Sequence, residues 1–375
     1  MKIPLVNLKA QYASIKQEID SAIQRVLDET DFISGNAVAE FETSFAAYCG
    51  TRSAVGLANG TDALQLSLLA LGIGRGDEVI TGVNTFIATS EAISATGARP
   101  VFVDNDPHTY TIDTARIEEK VTPNTKAILP IHLYGQPAAM DVINDIAARH
   151  HLAVIEDAAQ AHGASFRGKT VGTMGRLACF SFYPGKNLGA YGDAGAIASN
   201  DEALANKVRM LANHGRMKKY EHEIEGYNSR LDTLQAAVLS VKLRHLKAWT
   251  ERRQQHAALY TKLLAGTSSI VTPSVHPDAT HVYHLYVVRV QHRDRVQQAL
   301  KEAGIATGIH YPIPLHLQPA YRYLNIPAGS YPVAERFAGE LLSLPMYPEL
   351  TSDQIAFVCD TLIRACQPNS ASKTA

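Results

Sequence analysis

AVIEDAAQAHGA, residues 153–164, begins as a short apolar run and ends in polar residues and glycine. A run this short, closed by turn-forming residues, fits a buried strand of an α/β sheet. The strand Ala153–Glu156 delivers two carboxylates, Glu156 and Asp157, at its carboxyl end, and Gln160 follows three residues later. A buried carboxylate at a strand end is unfavourable unless it meets a cation or a hydrogen-bond donor. Asp is also a good helix N-cap, so by itself the stretch supports either a functional acid or a cap.

Outward from this strand the pattern repeats. Strand-like runs at Ser53–Leu57, Glu78–Thr81, Pro100–Val103, Thr125–Ile131, Ala178–Phe182 and Gly195–Ser199 alternate with helical stretches at Thr61–Leu71, Thr85–Ala95 and Asp141–His150. Such alternation indicates an α/β fold with a mainly parallel sheet, whose ligands gather at strand carboxyl ends and helix N-termini. Ser14–Thr30 and Ala37–Tyr48 read as helices ahead of it, and Leu231–Leu264 as a long helix after it. Then the pattern changes. Val282–Val290 alternates, Arg293–Ala303, Val333–Leu342 and Ser352–Cys366 are helical, and residues 310–332 are proline-rich. We expect a large α/β domain over residues 1–245 and a small α+β domain over 246–375, with a disordered tail at Pro368–Ala375.

The 375 residues suggest two domains at roughly 100–200 residues each. Hydrophobic residues at 46% and charged residues at 19% exclude a disordered chain. Lys+Arg 35 against Asp+Glu 36 leaves a formal charge of −1, which argues against a nucleic-acid surface. The longest charge-free run, Ala303–Tyr321, holds Pro312, Pro314 and Pro319 and is no membrane helix. MKIPLVNLK lacks the apolar core of a signal peptide. Cys49, Cys179, Cys359 and Cys366 form no C-x-x-C pair, which fits a reduced cytoplasmic protein without a zinc site. In an alternating strand, His281 and His284 of HVYH point to opposite faces, so no metal is expected there. GIGRG, residues 72–76, has the wrong spacing for a dinucleotide fingerprint and leads into a strand.

Two further stretches carry chemistry. SFYPGKNLGAYGDAG, residues 181–195, turns at Pro184-Gly185 and places Lys186 in a glycine-rich loop. Desolvation lowers a lysine pKa, and the neutral amine can form a Schiff base with an aldehyde; the plain alternative is a solvated loop lysine. In ANGTDAL, residues 58–64, Gly60 and Thr61 sit where a strand turns into a helix, as a phosphate cradle or an ordinary N-cap. Together, a cradle, a strand-end carboxylate and a turn lysine are the three handles of pyridoxal phosphate: aldehyde to lysine, ring nitrogen to carboxylate, phosphate to helix N-terminus.

With PLVNLKAQY, IEDAAQAHGA, SFYPGKNLG, GYNSRLDTLQAA and GIHYPIPLHLQP also present, the chain resembles the DegT/DnrJ/StrS family of sugar aminotransferases from about Ile3 to Cys366. The resemblance implies fold type I, a mostly parallel seven-stranded sheet flanked by helices plus a smaller C-terminal α+β domain. It implies pyridoxal 5′-phosphate as cofactor, with pyridoxamine 5′-phosphate as its aminated form. Lys186 would bond the aldehyde, Asp157 the pyridinium nitrogen and Gln160 the ring hydroxyl. Gly60, Thr61 and Ser181 would hold the phosphate, and Phe86 of VNTFIAT would stack on the ring; without the resemblance Phe86 reads as core. Asn228 would reach the phosphate from a partner subunit, making a homodimer with shared active sites. Tyr183, Tyr220, His310, Tyr311 and His316 are expected near the sugar, with a packed loop as the plain reading of 310–316. Arg216, Lys218 and Lys219 would meet a pyrophosphate or form a solvated loop.

The implied reaction passes an amino group from L-glutamate to a nucleotide-linked keto sugar. GYNSRLDTLQAA resembles members acting on 3-keto sugars, whereas 4-keto members more often carry NYRM there; a dTDP-3-keto-6-deoxyhexose is the expected substrate and a UDP-linked 3-keto sugar the second. Other readings are a family dehydratase, a cyclitol aminotransferase and a non-catalytic regulator. Dehydratases carry His in place of Lys186, and the intact Lys186, Asp157 and Gln160 set speaks for chemistry.

Overall fold

The computed structural model describes residues 2–367, so the expected tail at Pro368–Ala375 lies outside the described residues. In chain order the first strands are β1 (Ser53–Leu57), β2 (Glu78–Gly82), β3 (Arg99–Val103), β4 (Thr125–Leu129), β5 (Ala153–Asp157), β6 (Ser165–Phe166) and β7 (Lys169–Thr170). They are followed by β8 (Leu177–Ser181), β9 (Gly195–Ser199), β10 (Ile270–Val271), β11 (Ala279–Thr280), β12 (Tyr286–Val290) and β13 (Leu341–Leu344). The helices are α1 (Leu8–Glu29), α2 (Asn36–Cys49), α3 (Gly60–Ala70), α4 (Ala88–Ala95), α5 (Met140–Arg149), α6 (Glu202–Ala212), α7 (Thr233–Leu264), α8 (Arg293–Glu302), α9 (Pro332–Glu340) and α10 (Ser352–Cys366).

Seven strands form the main sheet in the order β1-β9-β8-β5-β4-β2-β3. The run from β8 to β3 is parallel, while β9 is antiparallel to both its neighbours. A parallel neighbour requires a crossover of a dozen or more residues, usually a helix. Residues 182–194 hold no helix, so β9 returns antiparallel beside β8 and the connection stays as a coiled loop at the end of the sheet. Both faces of the sheet are covered. Leu64 and Leu68 of α3 and Val208 of α6 pack on Val55, Leu57 and Ile197. On the other face Phe41 and Phe45 of α2 and Leu239 of α7 pack on Phe180 and Phe182. Two-sided burial is why these strands read as continuous apolar runs.

A second core lies around the sheet β10-β12-β13. There Tyr286, Val288 and Leu342 meet Tyr260 and Leu264 of α7, Val296 of α8 and Val358 of α10. Helix α7 therefore serves both cores, and residues 245–246 lie inside it.

Several boundaries differ from expectation. Helix α1 starts at Leu8 because Asn7 caps it, accepting from Ala10 N–H at 3.0 Å. Helix α4 starts at Ala88, after Phe86. The strand expected from Val282 begins at Tyr286, so His281 and His284 precede it and strand alternation does not separate them. The helix expected to Leu342 ends at Glu340, and Leu341 opens β13, paired antiparallel with β12. Helix α6, capped by Asp201, was not among the expected elements.

Candidate active site

Adjacent residues of a strand face opposite sides of the sheet. Glu156 and Asp157 accordingly part company. Glu156 is fully buried and accepts from the N–H groups of Gly172 (3.1 Å), Met174 (3.0 Å) and Gly175 (2.7 Å) and from His132 Nε2 (3.0 Å). It anchors the turn before β8. Asp157 accepts from Thr89 Oγ1 at 2.7 Å and from Ala159 N–H at 3.2 Å. Burial raises the Asp157 pKa above the ordinary range, against the pull of those donors and of the Lys186 charge. Burial lowers the Lys186 amine to about 8, opposed by the Asp157 charge. The Lys186 side chain is only partly covered, and its N–H is tied to the Tyr183 carbonyl at 2.8 Å. Lysine and carboxylate thus form one coupled pair at the carboxyl end of β5, each moving the other toward its charged form.

The second part of the site is the N-terminus of α3. Asn59 caps it, accepting from Asp62 N–H at 2.8 Å. Gly60 packs so closely on the end of β8 that a Cβ there would lie 2.6 Å from Ser181 Cβ. Gly60, Thr61 and Ser181 are all part-open to solvent. Backbone donors, a helix dipole and two hydroxyls converge there, the chemistry that holds a phosphate.

The third part joins distant segments. Gln160 Oε1 accepts from Tyr134 N–H at 2.6 Å, and Gln160 Nε2 donates to Tyr311 Oη at 3.2 Å. Tyr134 Oη donates to the His310 carbonyl, and His310 Nδ1 meets Ser343 Oγ of β13 at 2.8 Å. Burial, then the Lys186 charge, lowers His310 to about 4. The Phe86 ring is 55% exposed, not core, and lies 6.0 Å from the Tyr311 ring. An exposed aromatic beside a buried acid and amine is a ready platform for a flat ligand.

The remaining expected residues have the following surroundings. His316 is buried, with Nε2 3.0 Å from Glu335 Oε1 and its ring 4.7 Å from that of Tyr331. Its Nδ1 meets no hydrogen-bond partner in the protein. Arg216, Lys218, Lys219 and Tyr220 lie on an exposed loop, with the Lys219 ammonium 5.1 Å over the Tyr220 ring. Asn228 is exposed and its Oδ1 accepts from Arg230 at 2.9 Å. Tyr183 is 60% exposed beside the Lys186 turn.

The model of the DegT/DnrJ/EryC1/StrS aminotransferase family matches residues 13–363. The chain belongs to this family. Over 364 residues it is 50% identical to a Geobacillus stearothermophilus protein named pleiotropic regulatory protein, covering 96% of this chain and 98% of the relative. It is 49% identical to the dTDP-3-amino-3,4,6-trideoxy-alpha-D-glucose transaminase of Streptomyces venezuelae, covering 96% and 95%. The crystal structure of S. venezuelae DesV superposes with a TM-score of 0.96 at 48% identity, covering 98% of this chain and 99% of that one. As a DegT/DnrJ/EryC1/StrS aminotransferase, the chain depends on pyridoxal phosphate. The residues present fit that group: the Gly60–Ser181 contact leaves a cradle at the helix N-terminus, and the buried Asp157 and the half-buried Lys186 supply an acid and an amine.

Several residues of this family member's site were not singled out from sequence. Thr89, in the first turn of α4, donates from Oγ1 to Asp157. Tyr134 adopts φ 60°, a left-handed conformation uncommon for a non-glycine residue. His162, in the same motif as Asp157, is buried between Phe180 and Phe182 with neither ring nitrogen bonded to protein. Burial, reinforced by the Lys186 charge, lowers His162 to about 3, and His284 also falls well below its ordinary value. Among the described residues no cluster of three or more His, Cys, Asp or Glu is arranged to hold a metal.

Proposed function

We propose that the chain moves an amino group from L-glutamate to C3 of a dTDP-linked 3-keto-6-deoxyhexose. The observation that carries this reading is the pairing of half-buried Lys186 with buried Asp157, beside the phosphate cradle at Gly60. The high identity to a dTDP-sugar transaminase supports the sugar class.

When bound, the cofactor supplies an aldehyde and a ring that accepts electron density from the carbon next to nitrogen. Lys186 would bond the aldehyde, and its amine near 8 is neutral often enough near pH 7.5 to do so. The same amine, when free, would be the general base that takes a proton at the substrate carbon and the acid that returns it. Asp157, oriented by Thr89 and Ala159, would hold the proton on the pyridine nitrogen. Gln160 has its Oε1 committed to Tyr134, so its amide group is presented as a donor, suited to the ring hydroxyl. Gly60, Thr61 and Ser181 would hold the phosphate and Phe86 would cover the ring. Tyr183, Tyr220, His310, Tyr311 and His316 would contact the sugar, with Arg216, Lys218 and Lys219 toward the pyrophosphate. Asn228 would complete the phosphate site of a second copy in a homodimer; its exposure, and that of Phe32, Ile33 and Tyr227, suits such a contact.

The same proposal divides the chain into a cofactor unit at 1–245 and a cap at 246–375, with α7 as the strut between them. A cytoplasmic setting is part of it. The four cysteines are all free, which suits a reducing compartment. No helix among the described residues is long and apolar enough to cross a membrane.

A second reading, a regulator that binds without turnover, is favoured by the name of the Geobacillus relative. A half-reaction separates the two. Loaded enzyme mixed with L-glutamate should release 2-oxoglutarate once per active site, and the keto sugar should then restart the cycle. Binding of cofactor with no 2-oxo acid released from any amino-acid donor would favour the regulator.

A further inference from the structure

The loop between β8 and β9, residues 182–194, carries Lys186 and makes three hydrogen bonds to distant parts of the chain. Asn187 Nδ2 donates to the Val282 carbonyl at 3.0 Å. Gln235 Oε1 of α7 accepts from Tyr191 N–H at 2.8 Å. Lys242, about two turns further along α7 and so on the same face, donates from Nζ to the Gly189 carbonyl at 2.6 Å. The same ammonium lies 4.1 Å from the centroid of the Tyr191 ring.

Lys242 is fully buried. Among the described residues it forms no ion pair, and burial alone lowers its pKa, to about 8. A buried ammonium without a carboxylate costs stability, and an apolar side chain of similar length in its place is often neutral or stabilising. Its two partners are both in the loop that bears Lys186. Gly189 marks the tightest point of that loop: a Cβ there would lie 2.8 Å from the Pro184 carbonyl carbon and 2.9 Å from the Tyr183 oxygen. Tyr183 O is also the acceptor for Lys186 N–H. The Gly189 carbonyl is therefore the handle by which α7 sets the curl around Lys186.

We propose that Lys242 is a positioning residue for Lys186: it fixes the Gly189 carbonyl and so keeps the Lys186 amine desolvated beside Asp157. The inference rests on Lys186 being the reactive amine. Lys242 touches neither the amine nor Asp157, and acts through the loop.

The test uses the full chain without cofactor. The rate at which acetic anhydride acylates Lys186, followed by peptide mass, is measured against pH in the unmodified protein, Lys242→Met and Lys242→Gln. Methionine removes the donor, and glutamine is too short to reach Gly189. The other titratable groups that sense the Lys186 charge are Asp157, His162, His284 and His310, and neither variant alters them. The unmodified midpoint should lie near 8. In both variants it should rise by about half a pH unit or more toward the ordinary lysine value, as water reaches the amine. Thermal stability should be equal or higher in Lys242→Met. A folded variant with an unchanged midpoint overturns the proposal. If neither variant folds, Lys242 serves the fold rather than Lys186, and the proposal falls. Loading Lys186→Ala with pyridoxal phosphate tests the underlying reading separately, since an imine absorbance band that survives there would show that another amine reacts.

Discussion

Gly60, at the N-terminus of α3, and Ser181, at the end of β8, approach so closely that a methyl on Gly60 would sit 2.6 Å from Ser181 Cβ. The contact sets a helix N-terminus against a strand end and shapes the cradle assigned to the phosphate. Gly60→Ala must push the two apart, at about 1–3 kcal/mol by analogy with overpacked cores. Pyridoxal phosphate affinity should fall about ten-fold or more. Equilibrium dialysis against cofactor measures it. Gly339→Ala, where an added methyl meets nothing within 4 Å, is the control and should bind cofactor unchanged.

Glu156 and Asp157 should behave oppositely. Glu156→Ala leaves three N–H groups and His132 without their acceptor, an expected loss of about 3–5 kcal/mol in urea unfolding. Asp157→Asn keeps the shape and removes a charge that burial already disfavours, so stability should hold or rise at pH 7. Turnover should nonetheless fall by about 10²-fold or more. A large stability loss in Asp157→Asn with turnover retained would reverse the two roles.

Acid should destabilise the fold through His162. Its folded pKa, about 3, is below the unfolded value of about 6.5. Between those values the unfolded chain binds more protons than the folded one, so stability falls as pH drops below 6.5. The expected slope is about 1.4 kcal/mol per pH unit from this residue once the unfolded imidazole is charged. Melting temperatures of the unmodified protein and His162→Leu between pH 7 and 4.5 test it; the variant should give the shallower curve. Parallel curves would remove His162 from the account.

How much of this was readable in the sequence depends on distance along the chain. The acid, lysine and cradle each lie in a short motif whose local geometry is fixed by strand ends, glycines and a helix start. Strand β5 could be placed from twelve residues because its first part, Ala153–Ile155, is a short apolar run closed by polar residues and glycine. The bond from Gln160 to Tyr311 spans 151 positions, and no local pattern encodes it. The left-handed backbone of Tyr134, the burial of His162 and the position of β13 are likewise products of tertiary packing. Phe86 shows the limit of composition: its apolar side chain reads as core, yet it is exposed at the mouth of the site. The bond of His316 to Glu335, 19 positions away, is another contact no local pattern encodes.

The central claim is amination of a nucleotide-linked 3-keto sugar. The most direct measurement offers loaded enzyme and L-glutamate a panel of dTDP- and UDP-linked 3-keto and 4-keto sugars, and locates the new amine in each product by NMR. The account predicts turnover of a dTDP-3-keto-6-deoxyhexose with the amine at C3, abolished in Lys186→Ala. Amination of a 4-keto sugar with none of any 3-keto sugar would contradict it.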